Sequence, residues 1–401
     1  KLYAALLDKE DEAEALFNAK MDSVADVLEQ QPTGKTVAFF YITSSGAVNV
    51  RKSTDYVAKC VAIAGGDYVS FDESAEDNAQ STINIQMESF YHGAVDADVL
   101  IYNSIIDGEL HTLDEAVLSR TAEGSELAAL NAAGGETVHY AADDALPALI
   151  QTALAISDAA NGAFDPTLAP VLDAWGFTKD ERRVPSADEL SSLLSRTGRD
   201  KVTLTEDADG WTVTLLDGAQ LDLGGIAKGY AADLLRAQLA AEGVTSATLD
   251  LGGDVFVMGK KSDGSDWRVA VKDPADTDSY LGILTASDKF IVTSGVYERY
   301  FEENGVRYHH IIDPATGCPA ESGLVSVTVV CENGAWADAL STACFVLGTD
   351  GALDLRASLA AQGTDFELIL VTDDGRVRYT GGLAPIFTPN EESGYSYEAL
   401  S

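Results

Sequence analysis

A single lysine in a run of glycines, Asp222-Leu-Gly-Gly-Ile-Ala-Lys-Gly-Tyr230, sets a point charge beside backbone that can approach a ligand closely. The chain around it carries 26 Lys+Arg against 65 Asp+Glu, a formal charge of −39. So acidic a protein repels phosphates unless something local reverses the field, and Lys228 can do that. A helix predicted over residues 231–241 would add its N-terminal amides to the same anion-directed feature. A glycine turn with a lysine before a helix is also an ordinary connection. The second site is Ala337-Asp-Ala-Leu-Ser-Thr-Ala343, in an apolar, helical run ending at Leu347-Gly348. Asp338 and Thr342 are four apart, so on a helix their oxygens share one face. With a nearby backbone carbonyl they make an oxygen-only set suited to Mg²⁺. The alternative makes Asp338 a first-turn residue and Thr342 a packed one.

Size and composition bound the rest. At 401 residues and 46% hydrophobic content the chain can build two or three domains with real cores. Its charge argues against nucleic-acid binding and against a polybasic membrane tether. The acidity is spread along the chain: residues 1–115 hold 7 basic and 21 acidic side chains. Cys60, Cys318, Cys331 and Cys344 show no CxxC or Cys/His spacing, which argues against zinc and against a disulfide scaffold, with one bridge among the last three left open. There is no run of 18 apolar residues to span a membrane. Lys1 opens no signal peptide, as in a processed product.

The elements that must position these residues fall into two regions. Residues 2–29 have a helical pattern, residues 36–42 (TVAFFYI) a buried-strand pattern, residues 57–64 a short helix, and residues 99–102 another strand. Strand, helix, strand in this order predicts a small parallel α/β unit. Farther on, residues 202–216, 267–271 and 366–379 are strand-rich, and Gly134-Gly135 and residues 207–210 are surface turns.

A series of phrases in fixed order then identifies a family. NGAFDPTLAP (161–170), DLGGIAKGYAAD (222–233), LDLGGDVFVMG (249–259), TSGVYERYFEENGVRYHHIIDPATGCP (293–319) and WADALSTACFVLG (336–348) follow SRTAEGSELAALN (119–131). The series resembles the ApbE family, the FAD:protein FMN transferases, from Leu118 to Leu383. The resemblance implies an α+β fold, a mixed α/β domain with antiparallel sheets. It implies Mg²⁺-dependent movement of the FMN half of FAD onto a threonine or serine of an acceptor redox protein, with AMP leaving. Carried over, Asp338, Thr342 and the carbonyl of Gly225 match the metal ligands, Gly225 standing where alanine is common. Lys228 would contact the pyrophosphate and Asp222 the flavin or its ribityl chain. Ala163, Phe164 and Asp165 would line the cofactor with Ile312 beside them, or Asp165 only makes the turn before Pro166. The attacking hydroxyl needs an acceptor for its proton. His310, of the pair His309-His310 near Asp313, is the candidate base, or else it holds the flavin or caps the backbone. Tyr297, Arg299 and Tyr300 would lie near the substrate. Asp254 supports the site or finishes a turn, and Trp175 and Trp336 belong to the core or else stack on the isoalloxazine. His92, His111 and His139 are isolated.

Residues 1–115 do not carry these phrases. TVAFFYITSSGAVNVRKSTDYVAKCVAIAGGDYV (36–69) and MESFYHGAVDADVLIYNSIIDGELHTLDE (87–115) resemble the C-terminal lobe of a class III periplasmic solute-binding protein of ABC importers. That resemblance implies an importer as partner and an extracytoplasmic place, as a membrane-anchored lipoprotein or at the cell surface. Tyr41, Ser44, Ser45, Arg51 and Lys52 would face half a cleft, or form a surface loop. The expected organisation is this incomplete lobe at 1–115, the transferase-like domain at 116–385 and a tail at 386–401. The family's opening strand with its Met-Gly-Thr-like phrase is missing at the junction. Three activities remain open: transfer of FMN to a protein, hydrolysis of FAD to FMN and AMP, and passive binding of flavin or solute.

Overall fold

The structure is a computed structural model that describes residues 35–42, 48–63, 65–71, 82–94, 97, 99–102, 113–177, 181–261 and 263–400. The helix expected over residues 2–29, together with Ser44, Ser45 and His111, lies outside the described residues. The chain divides into two compact units, residues 1–109 and 110–401.

In the first unit, strands β1 (Thr36–Ile42), β2 (Val48–Arg51), β3 (Asp67–Tyr68), β4 (Thr82–Ile85) and β5 (Val99–Tyr102) accompany helices α1 (Tyr56–Ile63) and α2 (Met87–Ala94). β1 runs parallel to β3 and β5 but antiparallel to β2, which pairs antiparallel with β4. The sheet is therefore mixed, where a parallel one was expected. The five residues between β1 and β2 are too few for the crossover a parallel partner needs. Its core holds Ala38, Val48, Val50, Phe90 and Ala94. Arg51 lies 3.8 Å from Asp55 and Lys52 is buried, so neither is a free loop residue.

In the second unit a π-helical turn (Asp114–Leu118) is followed by α3 (Glu126–Ala132), β6 (Val138–Tyr140), α4 (Ala145–Ala159), α5 (Ala169–Trp175), α6 (Ala187–Leu194), β7 (Val202–Asp207) and β8 (Gly210–Leu215). Then follow α7 (Ala227–Ala241), β9 (Ala247–Asp250), β10 (Asp254–Met258), β11 (Trp267–Lys272), β12 (Tyr280–Ala286), β13 (Lys289–Gly295), β14 (Tyr300–Glu303) and β15 (Val306–His309). β16 (Leu324–Cys331), α8 (Gly334–Ala360), β17 (Glu367–Thr372), β18 (Arg376–Thr380), β19 (Phe387–Pro389) and β20 (Ser396–Leu400) complete it. Among its described residues no strand precedes β6.

The main sheet runs β20-β18-β17-β16-β13-β10-β9, antiparallel except for the parallel β18/β20 pair. Its central strands are apolar on both faces, so the period of two divides each strand between two cores. Phe290, Val292, Val327, Val329, Leu368 and Leu370 face the large core shared with α4 and α8. Ile291, Val330, Ile369 and Val371 face a smaller core with Leu281 and Leu284 of β12. β12 is the centre of a second sheet, β11-β12-β19. Residues 386–401, expected as a tail, supply β19 and β20. Their Tyr395 and Tyr397 pack on the smaller core, a contribution that their Ser, Glu and Gly neighbours disguise in the sequence.

Two glycines shape the helices next to the site. The long helix α8 is broken at Gly348, whose φ of 69° no β-carbon tolerates well, at the point where the helical run was expected to stop. Beyond this kink the chain is helical again to Ala360. α7 starts at Ala227, four residues ahead of the expected start, so Lys228 sits in its first turn and not in the loop before it.

Candidate active site

A cavity of about 680 Å³ opens in the second unit. Ala163, Phe164, Asp165, Asp222, Gly225, Lys228, His310, Ile312, Asp338 and Thr342 all line it, as does Arg299, whereas Tyr297 and Tyr300, also expected near the substrate, are not part of its wall. Part of its wall is apolar: Phe164, Ile312, Leu168, Leu172 and Phe177 line it. That part suits a flat, apolar ring. The rest of the wall carries charge.

The charged part depends on how α7 and α8 cross. Gly229 and Gly334 touch backbone to backbone: a β-carbon on Gly229 would lie 2.0 Å from the Gly334 carbonyl oxygen. This contact carries Asp338, one turn beyond Gly334, onto the start of α7. Asp338 Oδ2 accepts from the Gly229 amide at 3.1 Å. Its Oδ1 takes the Lys228 ammonium at 3.2 Å, and Asp254 Oδ2 takes the same ammonium at 3.0 Å. The side chains of Asp338 and Asp254 are 4% and 3% exposed, whereas that of Lys228 is 43% exposed.

Burial opposes the charge on Lys228, but Asp338 and Asp254 outweigh it and raise its pKa. Burial first, and the Asp338 charge second, push Asp254 well above the ordinary carboxylate range against the pull of Lys228. Glu298, also on the cavity wall, is raised by burial while Lys228 pulls it back. Lys228 is therefore already neutralised and does not by itself reverse the acidic field. With Asp254 shifted toward its protonated form, Lys228 and Asp338 nearly balance, so the ammonium has little free charge to offer a diphosphate.

The donor set fits Mg²⁺. Asp338 gives a carboxylate, and Thr342 faces the same cavity from one turn on. Gly225 stands beside them, the position of its missing β-carbon 3.8 Å from Thr342 Oγ1 and 3.2 Å from the Phe164 ring. Alanine at 225 would crowd that ring. The Ser341 hydroxyl donates to the Asp338 carbonyl at 2.7 Å. Ser294, 2.6 Å from Ser341 Oγ, must then donate to it, leaving its own lone pair toward Thr342 at 3.5 Å. A Thr342 hydroxyl that donates to Ser294 keeps its lone pairs for a cation. Among the described residues no group of three His, Cys, Asp or Glu side chains could hold a metal, so neutral oxygens must complete any cation site.

His310 follows β15 directly. The Arg299 carbonyl accepts from its backbone amide at 3.0 Å and lies 3.2 Å from ring Nδ1. A carbonyl only accepts, so Nδ1 carries the proton and Nε2 is left with its lone pair. Burial lowers the ring's pKa to about 4, so it is neutral near pH 7. The hairpin β14/β15 that holds it turns through Asn304 and Gly305, both with positive φ, the arrangement that Asn-Gly encodes.

Asp165 and Asp222 have more structural work than the sequence revealed. Asp165 Oδ1 accepts from the amide and the hydroxyl of Thr167, at 2.8 and 2.6 Å, so it builds its turn as well as lining the cavity. Asp222 Oδ1 accepts from the Gly224 amide, and its Oδ2 takes Arg120 Nε at 2.6 Å. Arg120 also reaches Asp173 at 2.8 Å and lines the cavity. Sequence reasoning missed Arg120, Glu298 and Ser294. Arg120 lay in the quoted SRTAEGSEL phrase, a lone cation among acids, and that was its signal. Trp175 and Trp336 pack in the core, Trp175 donating to the Gly317 carbonyl at 2.7 Å. Tyr300 is exposed and stacks with Arg307, and His139 is on the surface.

With this geometry in place, comparison with known proteins is informative. The family model described as the ApbE family matches residues 80–364, starting before the expected domain boundary. The chain is 38% identical over 282 residues to an FAD:protein FMN transferase of Treponema pallidum, covering 67% of this chain and 76% of that protein. It is 33% identical over 236 residues to one of Vibrio cholerae, covering 58% and 68%. Among solved structures it resembles the ApbE protein of Thermotoga maritima (TM-score 0.58, 35% identity, 69% of this chain and 84% of that one). It also resembles the flavin transferase ApbE of Vibrio cholerae (TM-score 0.58, 30% identity, 69% and 89%).

Proposed function

This chain belongs to the ApbE family, and from that premise we propose that it is an FAD:protein FMN transferase that moves FMN from FAD to a threonine or serine hydroxyl of another protein. The observation that carries the reading is one cavity whose wall joins apolar residues fit for a flavin ring with Asp338, Thr342, Gly225 and Lys228.

Asp338, Thr342 and the Gly225 carbonyl would hold Mg²⁺. Bound there, the ion supplies positive charge to the diphosphate oxygens and to the departing AMP phosphate. Ala163, Phe164, Asp165 and Ile312 hold the ring system, and Arg120 fixes Asp222 where it meets the flavin end. Lys228 has three donors, two of them directed at Asp254 and Asp338, and its exposed end faces the diphosphate. His310 Nε2 takes the proton of the incoming hydroxyl as its oxygen bonds to the flavin phosphorus. The phosphorus–oxygen bond to AMP breaks at the same centre.

With water in place of the acceptor, the same residues would give FMN and AMP. The reading extends to an extracytoplasmic place and an importer partner, supported only by the sequence resemblance of residues 1–115. The test is to incubate the protein with FAD, Mg²⁺ and candidate redox proteins, following AMP by chromatography and an added FMN by mass. Asp338→Ala should lose both products, by about a hundredfold or more. AMP without any protein adduct would favour hydrolysis, and no AMP at all would leave a passive binder.

A further inference from the structure

The two helices that carry Lys228 and Asp338 cap each other. An α-helix leaves its first amides without partners in its own backbone. In α7, whose first internal bond runs from the Tyr230 amide to the Ile226 carbonyl, the Gly229 amide is such an orphan. Asp338 of α8 satisfies it at 3.1 Å. In α8 the Ala335 amide is the equivalent orphan, and Asp233 of α7 satisfies it at 3.0 Å. Asn333 takes the next amide, that of Trp336, at 2.9 Å. Each helix thus lends a carboxylate to the positive end of the other, where a negative charge is favoured. Between the two caps lies the Gly229–Gly334 contact.

Asp233 is itself held from behind. Arg236, one turn along α7, sits 3.3 Å from Asp233 Oδ1 and donates to the Glu332 carbonyl at 2.8 Å. Its guanidinium lies 5.8 and 5.4 Å from the centres of the stacked Phe256 and Phe290 rings. Arg236 therefore ties α7 to the sheet, to a residue two positions before α8, and to the cap that fixes α8.

We propose that Asp233, braced by Arg236, is a positioning residue for the site: its grip on the Ala335 amide sets where α8 starts, and so holds Asp338 against Gly229 and Lys228. Asp233 is not among the residues that line the cavity, so its effect must pass through α8. The mutual arrangement explains why a residue one turn past the glycine run matters to a carboxylate 105 positions later. The consequence for metal affinity rests on the proposed function, whereas the mechanical claim does not.

The experiment compares Asp233→Ala and Asp233→Asn with the unaltered protein, in full-length form, with two readouts. Hydrogen exchange resolved to single residues follows the Gly229 amide, which contacts Asp338 and not Asp233. Loss of the cap should speed its exchange about tenfold in Asp233→Ala and less in Asp233→Asn, which keeps an acceptor oxygen. The amides of β16 should keep their protection in both, showing an intact core. Titration of Mg²⁺ at fixed FAD, followed by flavin fluorescence, should show an apparent metal affinity about tenfold weaker in Asp233→Ala. Gly229 exchange unchanged in both variants would overturn the inference. Faster Gly229 exchange with no Mg²⁺ response even in the unaltered protein would uphold the clamp and remove the metal reading instead.

Discussion

Replacing Gly229 by alanine adds one methyl at the crossing of α7 and α8, and the structure fixes its cost. The new carbon would stand 2.0 Å from the Gly334 oxygen, 2.4 Å from its carbonyl carbon and 2.9 Å from the Ala335 nitrogen. Ordinary contact begins at 3.4 Å, so the helices must separate by about 1.4 Å, and all three obstructing atoms are backbone. Gly229 has no positive φ, so contact alone forbids the side chain. Parting the helices breaks the amide bond to Asp338, an interaction with a charged acceptor worth about 1.5–3 kcal/mol. Overpacking adds about 1–3 kcal/mol, while the better helix propensity of alanine returns about 1 kcal/mol. The net is roughly 1.5–5 kcal/mol of destabilisation, a fall of several degrees in melting temperature. Activity should suffer more, because a shift of about 1 Å at a catalytic constellation costs about a hundredfold. Gly334→Ala attacks the same contact from the other side, its β-carbon 2.2 Å from the Gly229 oxygen, and should behave alike. The assays are thermal unfolding and Mg²⁺-dependent AMP release from FAD. A Gly229→Ala protein that melts normally and turns over within about twofold of the parent would show that close approach at this crossing does not place Asp338.

Three further outcomes follow from the same geometry. In the proposed role His310 must be neutral to act as a base; with its pKa lowered to about 4 from 6.5, kcat/KM should be flat in this group from about pH 5.5 upward and fall as pH drops through about 4. The same shift means its contribution to stability is full above pH 6.5 and lost on descent through about 4, and a rate limb near pH 6.5 would refute its buried, neutral state. Arg120→Ala leaves Asp222 and Asp173 without their shared cation, so KM for FAD should rise about tenfold with a smaller change in kcat, and a loss confined to kcat would contradict its holding role. Cys60 and Cys318 are exposed, whereas Cys331 and Cys344 are buried and burial pushes the Cys331 thiol up to about 11. A thiol reagent should therefore titrate two groups in the native protein and all four after denaturation, and any disulfide found by mass would contradict the four free thiols.

Sequence alone determined which residues meet and much of how they are held. Spacing put Asp338 and Thr342 on one helical face, and the ordered phrases named the family. Such features are local, set by a few neighbouring residues, and so can be read along the chain. The first-turn place of Lys228 was not legible, because the start of α7 is fixed by a carboxylate from α8, over a hundred residues away. Nor could the sequence show that Lys228 is neutralised, since Asp254 and Asp338 converge on it only after β10 and α8 each pack against α7. Arg120 and Asp233 escaped notice for the same reason: each acts on a partner distant in the chain. The two strands at the C-terminus are likewise decided by the sheet edges they join and not by their own weak pattern. Local chemistry chose the candidate residues, and the packing of two glycines against each other decided where their charges stand.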